Sequence, residues 1–239
     1  MYKIALVHGA WGSPRIMESL SVGLQKLADT EVTSVQLAGH GGEAFTPEMG
    51  RYGLEDYEND ILAKLPDGKI IIVGHSMGAV CGFNLAQKYP EKVGGAVMID
   101  PPMLGGASDI RVTKALMSKP LRYLVPLFMN GLFTPTREDA KLMLYNDKES
   151  PHIEDIIHQP AAGRVIRQML TGRLPRQSKQ PCAVVIAGGS RLHPSKPKVK
   201  WSQTVHALCE NFWDQSHCDI LESTHLSQVV SNLVAHITL

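Results

Sequence analysis

Gly74-His75-Ser76-Met77-Gly78 sets a serine hydroxyl between two glycines, directly after an unbroken apolar run and directly before a helical pattern. That spacing suits a nucleophile. A serine attacks well when it projects from a strand-to-helix turn so tight that its own backbone is strained. Glycines two residues to either side remove the Cβ atoms that would collide there. The turn lifts the Ser76 hydroxyl above a sheet edge. It also aims the Met77 N–H and a helix N-terminus at the group under attack, so Met77 is a candidate oxyanion donor.

Such a turn needs a sheet to hold it. Apolar runs at 3–7, 31–37, 69–74 and 94–100 read as strands, and the helical patterns 14–28, 54–65 and 78–89 alternate with them. These runs are apolar throughout, as expected of parallel strands covered on both faces. Strand–helix alternation predicts an α/β fold with a doubly wound, mostly parallel sheet. The pattern changes over 101–180, which carries no strand signal but short helical patterns near 107–118, 121–132, 136–145, 151–158 and 161–172, broken by prolines. Strand 183–188, a helix near 199–212, a strand at 218–223 and a helix from about 226 complete the chain. The expected organisation is one core, 1–100 with 181–239, interrupted by a helical lid over 101–180.

The 239 residues suffice for one large core, and 44% apolar with 20% charged residues is ordinary for a water-soluble chain. A net charge of +1 without a basic block argues against nucleic acid as a partner. Four dispersed cysteines without C-x-x-C spacing fit a reducing compartment, so a cytoplasmic location is expected. The first apolar stretch is too short for a secretory signal, and 121–133 is too short to span a bilayer. There is no H-E-x-x-H, and "SHC" at 216–218 lacks a second site. No phosphate-binding glycine loop follows a strand. Neither a metal nor a cofactor is expected.

The chain resembles the α/β-hydrolases over essentially its whole length. Besides "GHSMG" at 74–78 it carries "LVHGAW" at 6–11, "LAGHGG" at 37–42 and "ESTHLSQV" at 222–229. It starts at the family's third strand, without the usual opening hairpin, and so is similar to the compact plant methyl esterases and hydroxynitrile lyases. Gly9 stands where those lyases carry threonine and Leu226 where they carry lysine, which favours an esterase. The resemblance implies that the Ala10 N–H is the second oxyanion donor. Among ten histidines it implies His225 as the base, in the loop after the last expected strand.

The family's usual acid loop matches "AGGSRLHP" at 187–194, and there Ser190 holds the acid position. A hydroxyl can accept a hydrogen bond from imidazole but cannot stabilise an imidazolium by charge. Asp100, at the carboxyl end of the fourth strand, is the expected replacement, because open α/β sheets build their sites along that edge. Asp219 and Glu222 are the next candidates. Trp11, Met103 and Phe128 are expected to line an apolar substrate pocket.

The expected activity is serine-dependent hydrolysis of a small or medium apolar ester through an acyl-enzyme, with the small-molecule ester as partner. Thioester, lactone or C–C bond hydrolysis on the same residues is the alternative within enzymes. A small-molecule binding protein on the same scaffold is the alternative outside them.

Overall fold

The computed structural model describes residues 2–26, 30–102, 114, 118, 120–129, 131–172, 174, 178–192, 209–212 and 214–238. Strands β1 (Tyr2–Val7), β2 (Thr30–Val35), β3 (Ile70–His75) and β4 (Val93–Ile99) belong to the first half of the chain. Two-residue strands β5 (Leu132–Phe133) and β6 (Ala161–Ala162) follow, then β7 (Cys182–Ala187) and β8 (Cys209–Phe212). Six of these form one sheet in the order β2-β1-β3-β4-β7-β8, with every neighbouring pair parallel.

Among the central strands, β3 and β7 are buried at every position. Their alternate residues feed two different cores, as the two-residue pleat requires. Ile71 and Val73 join Ile4, Leu6, Val97 and Val185 on one face. Ile70 and Ile72 join Ala5, Val7, Met98 and Val184 on the other. Helices α1 (Glu18–Gln25) and α8 (Leu226–Thr238) cover the first face through Leu20, Leu24, Val230 and Leu233. Helices α2 (Leu54–Lys64) and α3 (Met77–Lys88) cover the second through Tyr57, Ile61, Val80 and Phe83. β2, at the sheet edge, is only partly buried.

Between β4 and β7 lie α4 (Pro120–Phe128), α5 (Arg137–Leu144), α6 (Ile153–Ile157) and α7 (Gly163–Thr171). These match the four expected patterns from 121 onward. The pattern at 107–118 falls almost entirely outside the described residues. Asp139 ties two of these helices together. Its Oδ2 accepts from the Thr136 N–H at 2.8 Å in a capping box, and its Oδ1 accepts from the Tyr123 hydroxyl of α4.

Three expectations need correction. β5 and β6 pair antiparallel inside a segment read as free of strands; two residues are too few to show a period. The segment 218–223 is not a strand: Asp219–Glu222 is a 3-10 turn. The sixth strand is instead Cys209–Phe212, paired with β7, where a helix was expected. Four residues carry too little periodicity to be told from a helix end.

Packing across the sheet also explains a glycine. A Cβ on Gly78 would sit 2.2 Å from the Val7 carbonyl oxygen and 2.6 Å from that of His8, both backbone atoms that cannot swing aside. Gly78→Ala is expected to lose about 3 kcal/mol or more of unfolding free energy, read from urea denaturation. An unchanged midpoint would mean that α3 and β1 do not approach this closely.

Candidate active site

The site lies along the carboxyl ends of β1, β3, β4 and β8. Ser76, between β3 and α3, has φ 53° and ψ −118°, a conformation that costs a non-glycine residue energy. The turn is held by the Ser76 N–H, which donates to the Ile99 carbonyl at 3.0 Å, and by the Ser76 carbonyl, which accepts from the Ala79 N–H at 3.1 Å. Gly74 permits the reversal: a Cβ there would stand 2.2 Å from the Gly78 carbonyl oxygen. Gly9 permits the neighbouring loop to pass, since a Cβ there would be 2.7 Å from the Ser76 Cβ and 3.2 Å from its Oγ.

Asp100 follows β4 directly and is fully buried, with φ 45°. Its N–H donates to the Val185 carbonyl at 2.7 Å, and its Oδ1 accepts from the Ala187 N–H at 3.0 Å. Its Oδ2 lies 2.5 Å from Nδ1 of His217. His217 is 2% exposed and sits in the short loop after β8. A carboxylate only accepts, so Nδ1 carries the proton. His217 and Ser76 line the same cavity.

The histidine expected at this place was His225. It is exposed, in the turn leading into α8, and the structure pairs Asp100 with His217 instead. The reason is the misplaced last strand. With β8 ending at Phe212, the loop at the sheet edge is the one holding His217, and a further 3-10 turn separates it from His225. The signal available in the sequence was the short run before "SHC" at 216–218. Asp219 and Glu222 point elsewhere, Asp219 toward Lys148 and Glu222 toward the Ser150 hydroxyl. Ser190, buried at the end of β7, closes a local turn: its N–H donates to the Ala187 carbonyl and its Oγ accepts from the Leu192 N–H.

Ala10 lines the cavity beside Ser76, and Met77 is the first residue of α3, so its N–H has no acceptor within the helix. His8 pins the Ala10 loop. Its Nδ1 donates to the Gly9 carbonyl at 2.9 Å, and its Nε2 accepts from the Leu37 N–H at 3.3 Å. That pair of bonds requires a neutral ring. Burial, reinforced by the neighbouring His40, pushes His8 down to about 3. Burial and the nearby His217 likewise push His75 down to about 3. The His75 ring lies 4.6 Å from that of His217, and its Nε2 donates to the His217 carbonyl at 2.8 Å.

The cavity spans about 1020 Å3 including its open mouth, and its described lining contains no Asp, Glu, Lys or Arg. Trp11 forms one wall, its indole N–H donating to the Phe133 carbonyl at 3.0 Å. The inserted segment supplies Tyr123, Met143, Ile156, Ile166 and Met169. Phe128 is not part of this lining: it is 63% exposed on α4, with Arg167 over its ring, because the inward face of that helix is taken by Tyr123 and Leu127. Met103 lies outside the described residues.

A sequence profile described as "Alpha/beta hydrolase family" matches residues 4–228. The chain is 27% identical over 128 residues to Lipase LipV of Mycobacterium tuberculosis, covering 52% of this chain and 46% of that one. It is 23% identical over 190 residues to Probable esterase PIR7A of Oryza sativa subsp. indica, covering 77% of this chain and 64% of the relative. The matched stretch thus spans less than two thirds of these relatives. Crystalline polyneuridine aldehyde esterase shares the fold with a TM-score of 0.66 at 17% identity, over 98% of both chains.

The buried neutral histidines predict acid sensitivity. Their folded values lie below the unfolded value of 6.5, so between pH 6.5 and about 3 the unfolded chain binds more protons. Their contribution to stability is whole above pH 6.5 and declines as pH falls toward 3. The urea midpoint is expected to fall across this window, and less steeply in His8→Gln, whose amide cannot titrate. Equal slopes in the two proteins would contradict the assignment.

Proposed function

Because the chain belongs to the alpha/beta hydrolase family, we propose that it is a serine carboxylic-ester hydrolase working through an acyl-enzyme, with Ser76, His217 and Asp100 as its catalytic residues. One observation carries this reading: a buried carboxylate 2.5 Å from an imidazole that lines the same cavity as a strained serine.

Asp100 holds the Nδ1–H of His217, which leaves Nε2 free to take the Ser76 proton as Oγ attacks the ester carbonyl. The negative charge on the carbonyl oxygen is received by the Ala10 and Met77 N–H groups, where one donor is worth ~3 kcal/mol. The imidazolium formed in this step is stabilised by the Asp100 carboxylate. It then protonates the departing alkoxide. Water, activated by the same Nε2, releases the acid and restores Ser76.

Ser190 gave the strongest reason to consider a non-catalytic binding protein, since it lacks charge. Asp100 supplies that charge from the neighbouring strand, which supports the enzyme. The crowding at Gly9 favours an esterase over a lyase: a threonine there would have its Cβ within 2.7 Å of the Ser76 Cβ. An uncharged apolar lining favours a neutral, small or medium ester. The segment 101–180 acts as the lid that shields this ester from water.

Turnover of p-nitrophenyl butyrate and labelling of Ser76 by a fluorophosphonate are expected, and both vanish in Ser76→Ala. Asp100→Asn is expected to lower kcat by ~10⁴. His217→Ala should be comparably impaired, whereas His225→Ala and Ser190→Ala stay within about threefold of wild type, as for residues outside the reacting groups. Full activity in Ser76→Ala or His217→Ala would overturn the reading.

A further inference from the structure

We propose that His75 is a positioning residue for the base, its Nε2–H clamping the backbone carbonyl of His217 so that the imidazole meets both Asp100 and Ser76. Asp100 constrains one end of the His217 side chain only. The loop that carries it is short and follows the edge strand β8; it is held on either side of His217 by the Gly189 N–H on the Gln215 carbonyl and by the Cys218 N–H on the Leu144 carbonyl. The His75 Nε2 to His217 carbonyl bond, at 2.8 Å, anchors the backbone of the base residue itself. It starts from the residue immediately before Ser76, so nucleophile and base are located from one strand end.

The other nitrogen of His75 strengthens the case. A carbonyl can only accept, so Nε2 carries the proton and Nδ1 is a bare acceptor. Nδ1 is buried and has no partner. A buried acceptor left unpaired is a cost, and it calls for a compensating reason. Retention of the ring for its donating nitrogen provides one. The residue is fully buried and kept neutral by that burial, so it places no positive charge against the imidazolium that forms 4.6 Å away.

This assignment rests on the serine-hydrolase reading for its kinetic consequence but not for its spectroscopic one. The Nδ1 proton of His217, bonded to Asp100, should give a far-downfield proton resonance in the wild-type protein. In His75→Phe, which fills the volume without a donor, that resonance is expected to broaden or disappear. kcat/KM for p-nitrophenyl butyrate should fall on the order of 100-fold, chiefly in kcat, as for a misplaced base. His75→Gln, whose amide N–H can reach the same carbonyl, should retain the resonance and most of the rate.

An undisturbed resonance in folded His75→Phe, checked by near-ultraviolet circular dichroism, would overturn the proposal. Its loss in His75→Gln would do the same, and this variant decides the matter if the Phe variant does not fold. Wild-type turnover in Ser76→Ala would instead remove the hydrolase reading while the resonance result stood, so the two failures are distinct.

Discussion

The contact between Asp100 and His217 sets the terms for the rest of the site. A fully buried carboxylate is tolerable only when hydrogen bonds replace its water, and Asp100 has the Ala187 N–H and the His217 ring. Three strand ends must converge to make this so. Asp100 leaves β4, Ala187 ends β7 and His217 follows β8, which are consecutive strands in the sheet. The parallel register of these strands brings their carboxyl ends to one edge, and the 45° φ of Asp100 turns its side chain into that edge.

Backbone strain recurs along the same edge. Trp11, Ser76 and Asp100 all have positive φ, and they follow β1, β3 and β4 respectively. Each is a non-glycine residue held in a conformation its side chain disfavours. Each is also held by the backbone around it: Ser76 by Ile99, Asp100 by Val185, and the loop before Trp11 by the bonds of His8. The glycines beside them remove the collisions that would otherwise forbid such close strand ends.

The loop after β7 carries no acid, and its contacts show what it does in the structure. The Asn146 amide donates to the Gly189 carbonyl at 2.6 Å. Arg191 donates to the Leu142 carbonyl and lies 2.8 Å from Asp147. The Gly189 N–H donates to Gln215, two residues before His217. The inserted segment is thereby joined to the loop after β7, and through it to the loop that holds His217.

The local chemistry of the elbow was legible in the sequence, because a strand, a strained serine and a helix occupy contiguous residues. Gly74, Ser76 and Gly78 need no distant information to be recognised. The parallel sheet was equally legible through β4, since long apolar runs carry a clear pattern. Asp100 could be singled out by its place at a strand end and by the absence of a charge at Ser190.

The imidazole that meets Asp100 could not be found in this way. Its choice depended on where the last strand ends, and Cys209–Phe212 is a strand because β7 offers it a partner, not because four residues prefer that form. The direction of the His75 side chain was hidden for a similar reason: that of an elbow residue depends on what the adjacent loop presents to it. By itself the sequence determined the strained serine turn, the sheet through β4 and the place of Asp100 at a strand end, all encoded within short stretches of chain. Only the tertiary structure decided which imidazole meets that carboxylate, because hydrogen-bond pairing across strands is a property of distance in space and leaves no mark on residue order.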